Sequence, residues 1–418
     1  MTLREGRAAA AFVPVTALFF AWGFICANND PLIAAMRAIF GLSYTAALFT
    51  QIVAFLAFAT MALPAAALLA RWGALRTILA ALATMILGCL IIQTSAWTPH
   101  FLLVLAGLFV LMTGIVALQV AANPLAAMLG PPEHSHFRLA LAHGFNSLGV
   151  VCGVHFGARL VLGSAGLAPG ATQLAGIAAV NRAFLIIAAL VAGLALLVLL
   201  VRGQIAAAPV EERRPARIAD ALRSRPALLG AAGIALYVGA EVAIGSMLIL
   251  YLASPGVLDL SLADSGAHVA NFYWGGALVG RFAGSWALRH FPAWALLAAA
   301  AGMALALCAA ALVLPGPVGA RCLLAVGLFN SVMFPAIFSL TLERSEVSAS
   351  ATSGLLCLAI GGGAVLPLFS GQIADHFGLH WSFAIALAAY AYVLVFAMMG
   401  PAAPRTGAVE PGGGPGRV

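Results

Sequence analysis

Asp30 and Glu241 are carboxylates set inside long apolar stretches, 12–36 and 226–253. Most other charges lie in short connecting segments. An acid at the centre of a lipid bilayer costs about 2.5–3.5 kcal/mol even on a lenient scale. A chain that carries this cost twice, at matching places, has a use for it. Desolvation disfavours the charged form of a carboxyl, so such a group can take a proton from one side and release it to the other. Asp30 is flanked by Asn28, Asn29 and Pro31. Pro31 lacks a backbone donor and interrupts regular helix, which frees backbone groups to line a cavity. The alternative is an acid at the outer end of its helix, bathed in water. Glu241 has no evident cation on its own helix. It can carry a second proton, accept hydrogen bonds from a hydroxylated ligand, or pair with a basic group such as Arg281.

A second set is polar but uncharged: Asn29, Gln119, Asn123, His143, Asn146, Asn271 and Asn330, all in apolar surroundings. Planar amides offer a donor and an acceptor side by side, which suits adjacent hydroxyls. The alternative for any one of them is an interhelical hydrogen bond worth about 0.6 kcal/mol. Asn123 precedes Pro124 and is expected to satisfy backbone at a kink. His143 either titrates near neutrality or serves as a neutral hydrogen-bonding ring. Tyr237 and Trp274 are the rings chosen to stack on a ligand face; Trp22, Phe24, Phe145, Phe272 and Tyr273 read as packing or lipid-facing aromatics. His134 and His136 beside Glu133 read as a solvated link rather than a metal site, and no metal or cofactor is expected beyond a coupling proton. The six cysteines lie in apolar segments without a CxxC pair and read as packing residues. No Ser/His/Asp, HExxH or paired-carboxylate motif points to an enzyme.

The elements that must position these residues are apolar helices. The chain is 63% hydrophobic and 8% charged over 418 residues, unlike a soluble domain. Runs of about 20 apolar residues are long enough to span a bilayer. Twelve occur: 12–36, 44–69, 74–94, 99–128, 137–163, 178–202, 226–253, 262–287, 292–313, 317–342, 348–374 and 380–400. With only short links between them, this is an all-α polytopic membrane protein. The basic residues are all arginines. Arg37, Arg159, Arg182 and Arg321 lie near the odd-numbered links, whereas most others fall in the even-numbered links and the termini. The positive-inside rule therefore places both termini in the cytoplasm. This bias accounts for the net charge of +7, and no basic stripe interleaved with aromatics suggests nucleic acid. The opening Arg4, Arg7 and apolar run read as a retained first helix rather than a cleaved signal.

The polar stretch 203–225 divides the chain into 1–202 and 226–400, six helices each, with 401–418 a Pro/Gly-rich disordered tail. The halves echo one another. Helices 1 and 7 each carry an acid, helices 4 and 10 each carry Asn and Pro, and GFNSLGVVCG (144–153) and SGLLCLAIGGG (353–363) are both glycine-rich. Weak internal symmetry of this kind marks a secondary transporter built from repeats.

The segments FFAWGFICANNDPLI (19–33), LQVAANPLAAMLGPPE (118–133), FRLALAHGFNSLG (137–149), YVGAEVAIGS (237–246), GRFAGS (280–285), FNSVMFPAIFSL (329–340) and GGGAVLP (361–367) resemble the fucose–hexose:proton symporters of the major facilitator superfamily. The resemblance implies two six-helix bundles, alternating access, and uptake of a neutral monosaccharide with a proton by a monomer in a bacterial-type inner membrane. Asp30, and with it Glu241, would then couple the proton. Asn29, Gln119, His143, Asn146, Tyr237, Asn271, Trp274 and Asn330 would bind the sugar. Gln119 stands where the fucose branch has an acid, which favours the glucose/galactose type. His143 stands where the family usually has Gln, and Ala70 where the superfamily signature expects an acid before Arg71. The competing readings are a drug/proton antiporter of the same fold, a non-transporting sugar sensor, and an uncoupled facilitator.

Overall fold

The computed structural model describes residues 3–129, 135–168, 170–203, 218–287, 290–347 and 349–399. Nearly all of these residues are helical, and twelve membrane spans can be traced. Among the described residues nine helices are long and apolar enough to cross a membrane, or ten with one bent pair. One of the nine, Tyr44–Ala96, contains a helix of 45 residues, Phe49–Gln93. At 1.5 Å per residue it is roughly twice as long as a bilayer core is thick. It breaks at Gly73, whose φ of 74° and ψ of 172° suit glycine alone, so it supplies spans 2 and 3. Span 8 is Leu262–His268, a π-helical turn Val269–Trp274, and Gly275–Ala287.

Prolines explain where other spans bend. Span 1 runs Leu3–Ala27 and resumes as Asn29–Phe40. Pro31 cannot donate to the Ala27 carbonyl, and the Asn28 side chain turns back to donate to the Phe24 carbonyl at 2.6 Å. Span 10 consists of Pro317–Asn330 and Met333–Arg344, bent by 40° ahead of Pro335. Span 11 passes through a 3-10 turn at Gly361–Ala364.

The spans pack as two six-helix bundles. Spans 1 and 5 touch backbone to backbone: Gly149 and Gly153 lie against the Phe20 and Phe24 carbonyls. This is the small-xxx-small contact by which helices associate in lipid. A side chain there has nowhere to go. Gly149→Val is expected to destabilise the fold by about 1–3 kcal/mol through overpacking, read as a lower melting temperature in detergent. An unchanged melting temperature would show that spans 1 and 5 can part freely.

The bundles meet closely at the end opposite the termini. Asp375, in span 11 (which ends with Val365–Phe377), reaches the link before span 2. Its carboxylate accepts from the Tyr44 N–H at 2.7 Å, the Thr45 N–H at 3.0 Å and the Thr45 hydroxyl at 2.6 Å. Gly371 packs beside Thr45 and Leu48, and Gly266 beside Ala158. Toward the terminus-bearing end the bundles separate around a cavity. Asp375→Ala removes three hydrogen bonds between the halves. It is expected to shift the population toward opening at this end by about threefold to tenfold, allowing for the exposure of the contact. Spin labels at Ala38 and Phe377, both exposed, with the native cysteines replaced, would report a longer-distance population. An unchanged distance distribution would mean that the contact carries no weight in closure.

Candidate functional site

The cavity has a volume of about 1080 Å³ and is lined from both bundles. Spans 1, 2, 4 and 5 contribute Asn29, Gln51, Gln119, His143 and Asn146. Spans 7 and 8 contribute Tyr237, Glu241 and Arg281. One wall is thus mostly amide and the other carries charge. Apolar side chains, among them Trp22, Phe55 and Met112, line the cavity beside the amides.

The amides are not equivalent. Among the described residues no hydrogen bond involving the Gln119 side chain is present, so both its donor and its acceptor face the cavity unengaged. Asn29 donates to Gln51, while its Oδ1, buried, has no partner. A buried acceptor left open costs about 1–3 kcal/mol unless a ligand or water meets it. Asn146 is partly committed: its amide donates to the Phe19 carbonyl at 3.1 Å. His143 stands edge-on to Phe19 and Trp22, with ring centroids 5.2 and 5.9 Å away.

Glu241 occupies the opposite wall. The Tyr237 hydroxyl is within reach of its carboxyl, and Arg281 lies close enough for the charges to interact. Arg281 also donates to the Ser147 hydroxyl on span 5, which ties the bundles together within the cavity. The backbone around Glu241 is held from inside its own bundle. Tyr273 donates to the Glu241 carbonyl at 2.8 Å, Asn330 donates to the Tyr273 hydroxyl at 3.1 Å, and Tyr390 donates to Asn330 at 2.8 Å.

Asp30 lies beyond the cavity, at the sealed interface, and is 5% exposed. Its partners come from the other bundle. Trp274 Nε1 donates to one carboxylate oxygen at 3.0 Å, and the Ser246 hydroxyl lies 3.5 Å from the other. Gly245 leaves the room that brings the carboxylate against span 7.

Of the ten residues singled out from the sequence, Asn29, Gln119, His143, Asn146, Tyr237 and Glu241 line the cavity. Four do not. Asp30 and Trp274 pair with each other at the sealed end. Asn330 is fully buried between two tyrosines, with both ends of its amide engaged. Asn271 is exposed and does not line the cavity. A regular α-helix would set Asn271, Trp274, Leu278 and Arg281 on one face. The π turn Val269–Trp274 inserts an extra residue and rotates the preceding part out of that register. Gln51 and Ser147 belong to the cavity and were passed over. Gln51 is a lone amide in an apolar helix, the same signal that marks Gln119. Glu133 and His134 lie outside the described residues, as do most of 203–225 and all of 401–418.

Comparison with known proteins gives this geometry a family. The Major Facilitator Superfamily profile matches residues 15–356. A glucose/galactose transporter of Brucella abortus is 41% identical over 395 residues, covering 93% of this chain and 94% of that protein. The L-fucose-proton symporter of Escherichia coli is 30% identical over 389 residues, covering 88% and 87%. The crystal structure of the transporter FucP in the outward conformation superposes with a TM-score of 0.67 at 27% identity, covering 92% and 97%. A profile spanning most of the chain, and relatives matched along nearly their whole length, show that this chain belongs to the Major Facilitator Superfamily, in the group that holds these glucose/galactose and fucose transporters.

Proposed function

We propose that this protein carries a neutral hexose of the glucose/galactose type into the cell together with a proton. The observation that carries the reading is the separation of two chemistries along one axis. Amides with open hydrogen-bonding atoms, Gln119 and the Asn29 Oδ1 among them, line the cavity, and a carboxylate is buried just beyond it where the bundles meet. The relatives support both halves of the reading, since one is a glucose/galactose transporter and another an L-fucose-proton symporter. A drug/proton exporter of the same fold would be served by a more apolar cavity than one holding Asn29, Gln51, Gln119 and Asn146.

In this reading the bundles 1–202 and 226–400 rock about the cavity, with 203–225 as the link between them. The arginine bias sets the termini in the cytoplasm, so the cavity opens inward and the Asp375 contact closes the outer end. Asp30 is the proton site. Gln119, Asn29 and His143 take sugar hydroxyls from one wall, and Tyr237 and Glu241 from the other.

The deciding experiment is uptake of labelled hexoses by proteoliposomes, with and without an inward proton gradient. Glucose or galactose is expected to accumulate only with the gradient, and to acidify the lumen as it enters. Equilibration without accumulation would make the protein a facilitator. Failure of every hexose would remove the sugar assignment.

A further inference from the structure

Span 8 presents two neighbouring aromatics in opposite roles. In its π turn, Tyr273 reaches into its own bundle and bonds the Glu241 carbonyl, while Trp274 reaches across the interface to Asp30. The rings touch edge to face, with centroids 5.2 Å apart. Trp274 was expected to stack on sugar, yet its polar atom is spent on a carboxylate outside the cavity.

The chemistry of this contact depends on the conformation of the whole protein. An indole N–H can only donate. It bonds an ionised carboxylate more strongly than a neutral acid, because the acceptor carries the charge. Ser246 adds a second, longer contact from span 7. Both donors belong to the bundle opposite Asp30, so they reach it only while this end is shut. When the bundles part here, Asp30 loses both donors and meets water. Glu241 is the ionisable group whose charge bears on Asp30 from span 7, four residues from Gly245, and it lies on the cavity wall.

We propose that Trp274 is the positioning residue that lets Asp30 give up its proton while this end is shut: its N–H arrives with the opposite bundle and offsets part of the desolvation that disfavours the ionised carboxylate there. The Asp30 O–H bond breaks, the electron pair stays on the carboxylate, and the proton passes to water in the cavity. The proposal rests on the proton-coupled reading given above and adds what allows discharge from the closed interface.

The test compares the wild type with Trp274→Phe, which keeps an aromatic ring beside Tyr273 and removes the N–H donor together with one ring of the indole. Two assays are run in proteoliposomes: sugar exchange at equal pH, which needs no net proton release, and uptake driven by a proton gradient. Exchange is expected to stay within about twofold of wild type, while driven uptake at neutral internal pH falls about tenfold. Raising the internal pH is expected to restore driven uptake, because an alkaline lumen draws off the proton whose release the missing donor no longer favours. Unchanged driven uptake, or a loss that alkaline lumen does not restore, would overturn the proposal. So would an equal fall in exchange, which would mark Trp274 as a packing residue. Wild-type protein that shows no gradient-driven uptake would bring down the coupled-transport reading itself, and this proposal with it.

Discussion

Asp30→Asn is expected to exchange sugar across the membrane but never to concentrate it. Asparagine keeps the size of the side chain and an oxygen able to accept from Trp274 Nε1, whose bond to Asp30 spans 3.0 Å. It cannot ionise. The sealed interface therefore remains intact, with Asp375 bonding Thr45 and Gly371 packed beside it. The alternating motion then no longer requires a proton. A gradient of one pH unit moving one proton per sugar sustains about tenfold accumulation, since one unit is worth about 1.4 kcal/mol. In the variant that ratio is expected to fall to about one, with exchange within about threefold of wild type. Uptake and exchange of the same labelled hexose in one proteoliposome preparation make the comparison. Persistent accumulation by the variant would take coupling away from Asp30. Glu241, the other acid on the path, would be the group to change next.

The sequence marked Asp30 as a candidate more clearly than it showed where Asp30 sits. An acid between Asn29 and Pro31 in an apolar helix is visible by type and spacing alone. Its partner is not, because Trp274 is 244 residues away and arrives by packing of the other bundle. The twelve spans were legible because each must bury about 20 apolar residues. The register inside a span was less so. Asn271 was chosen as an uncharged polar residue in an apolar segment, and it lies in a π turn, which no residue type announces, outside the cavity lining. Polar residues in apolar helices were detected as a class, but burial divided that class. Gln119 keeps its amide unengaged, whereas Asn330 spends both ends of its own on Tyr273 and Tyr390. Sequence supplies the donors and acceptors; which of them are already satisfied is a property of the packed structure.

Gln119 and Asn330 accordingly give opposite results when cut back to alanine. Gln119 lines the cavity with no hydrogen bond to its side chain among the described residues, so its loss costs the protein little. A bound sugar, however, would leave hydroxyls unpaired there, at about 1–3 kcal/mol. The half-saturation concentration of Gln119→Ala is expected to rise roughly tenfold to a hundredfold, with its melting temperature within a degree or two of wild type. Asn330 is 0% exposed and bridges two tyrosines, one of which holds the Glu241 carbonyl. Asn330→Ala leaves the Tyr273 and Tyr390 hydroxyls without their buried partner. It is expected to lower stability by about 1–3 kcal/mol while the folded fraction binds sugar with nearly wild-type affinity. Measuring binding and thermal unfolding on both variants separates ligand contact from internal support. If Gln119→Ala lowers stability and leaves binding alone, Gln119 is a helix-packing amide, and the sugar must be held chiefly from the wall that carries Tyr237, Glu241 and Arg281.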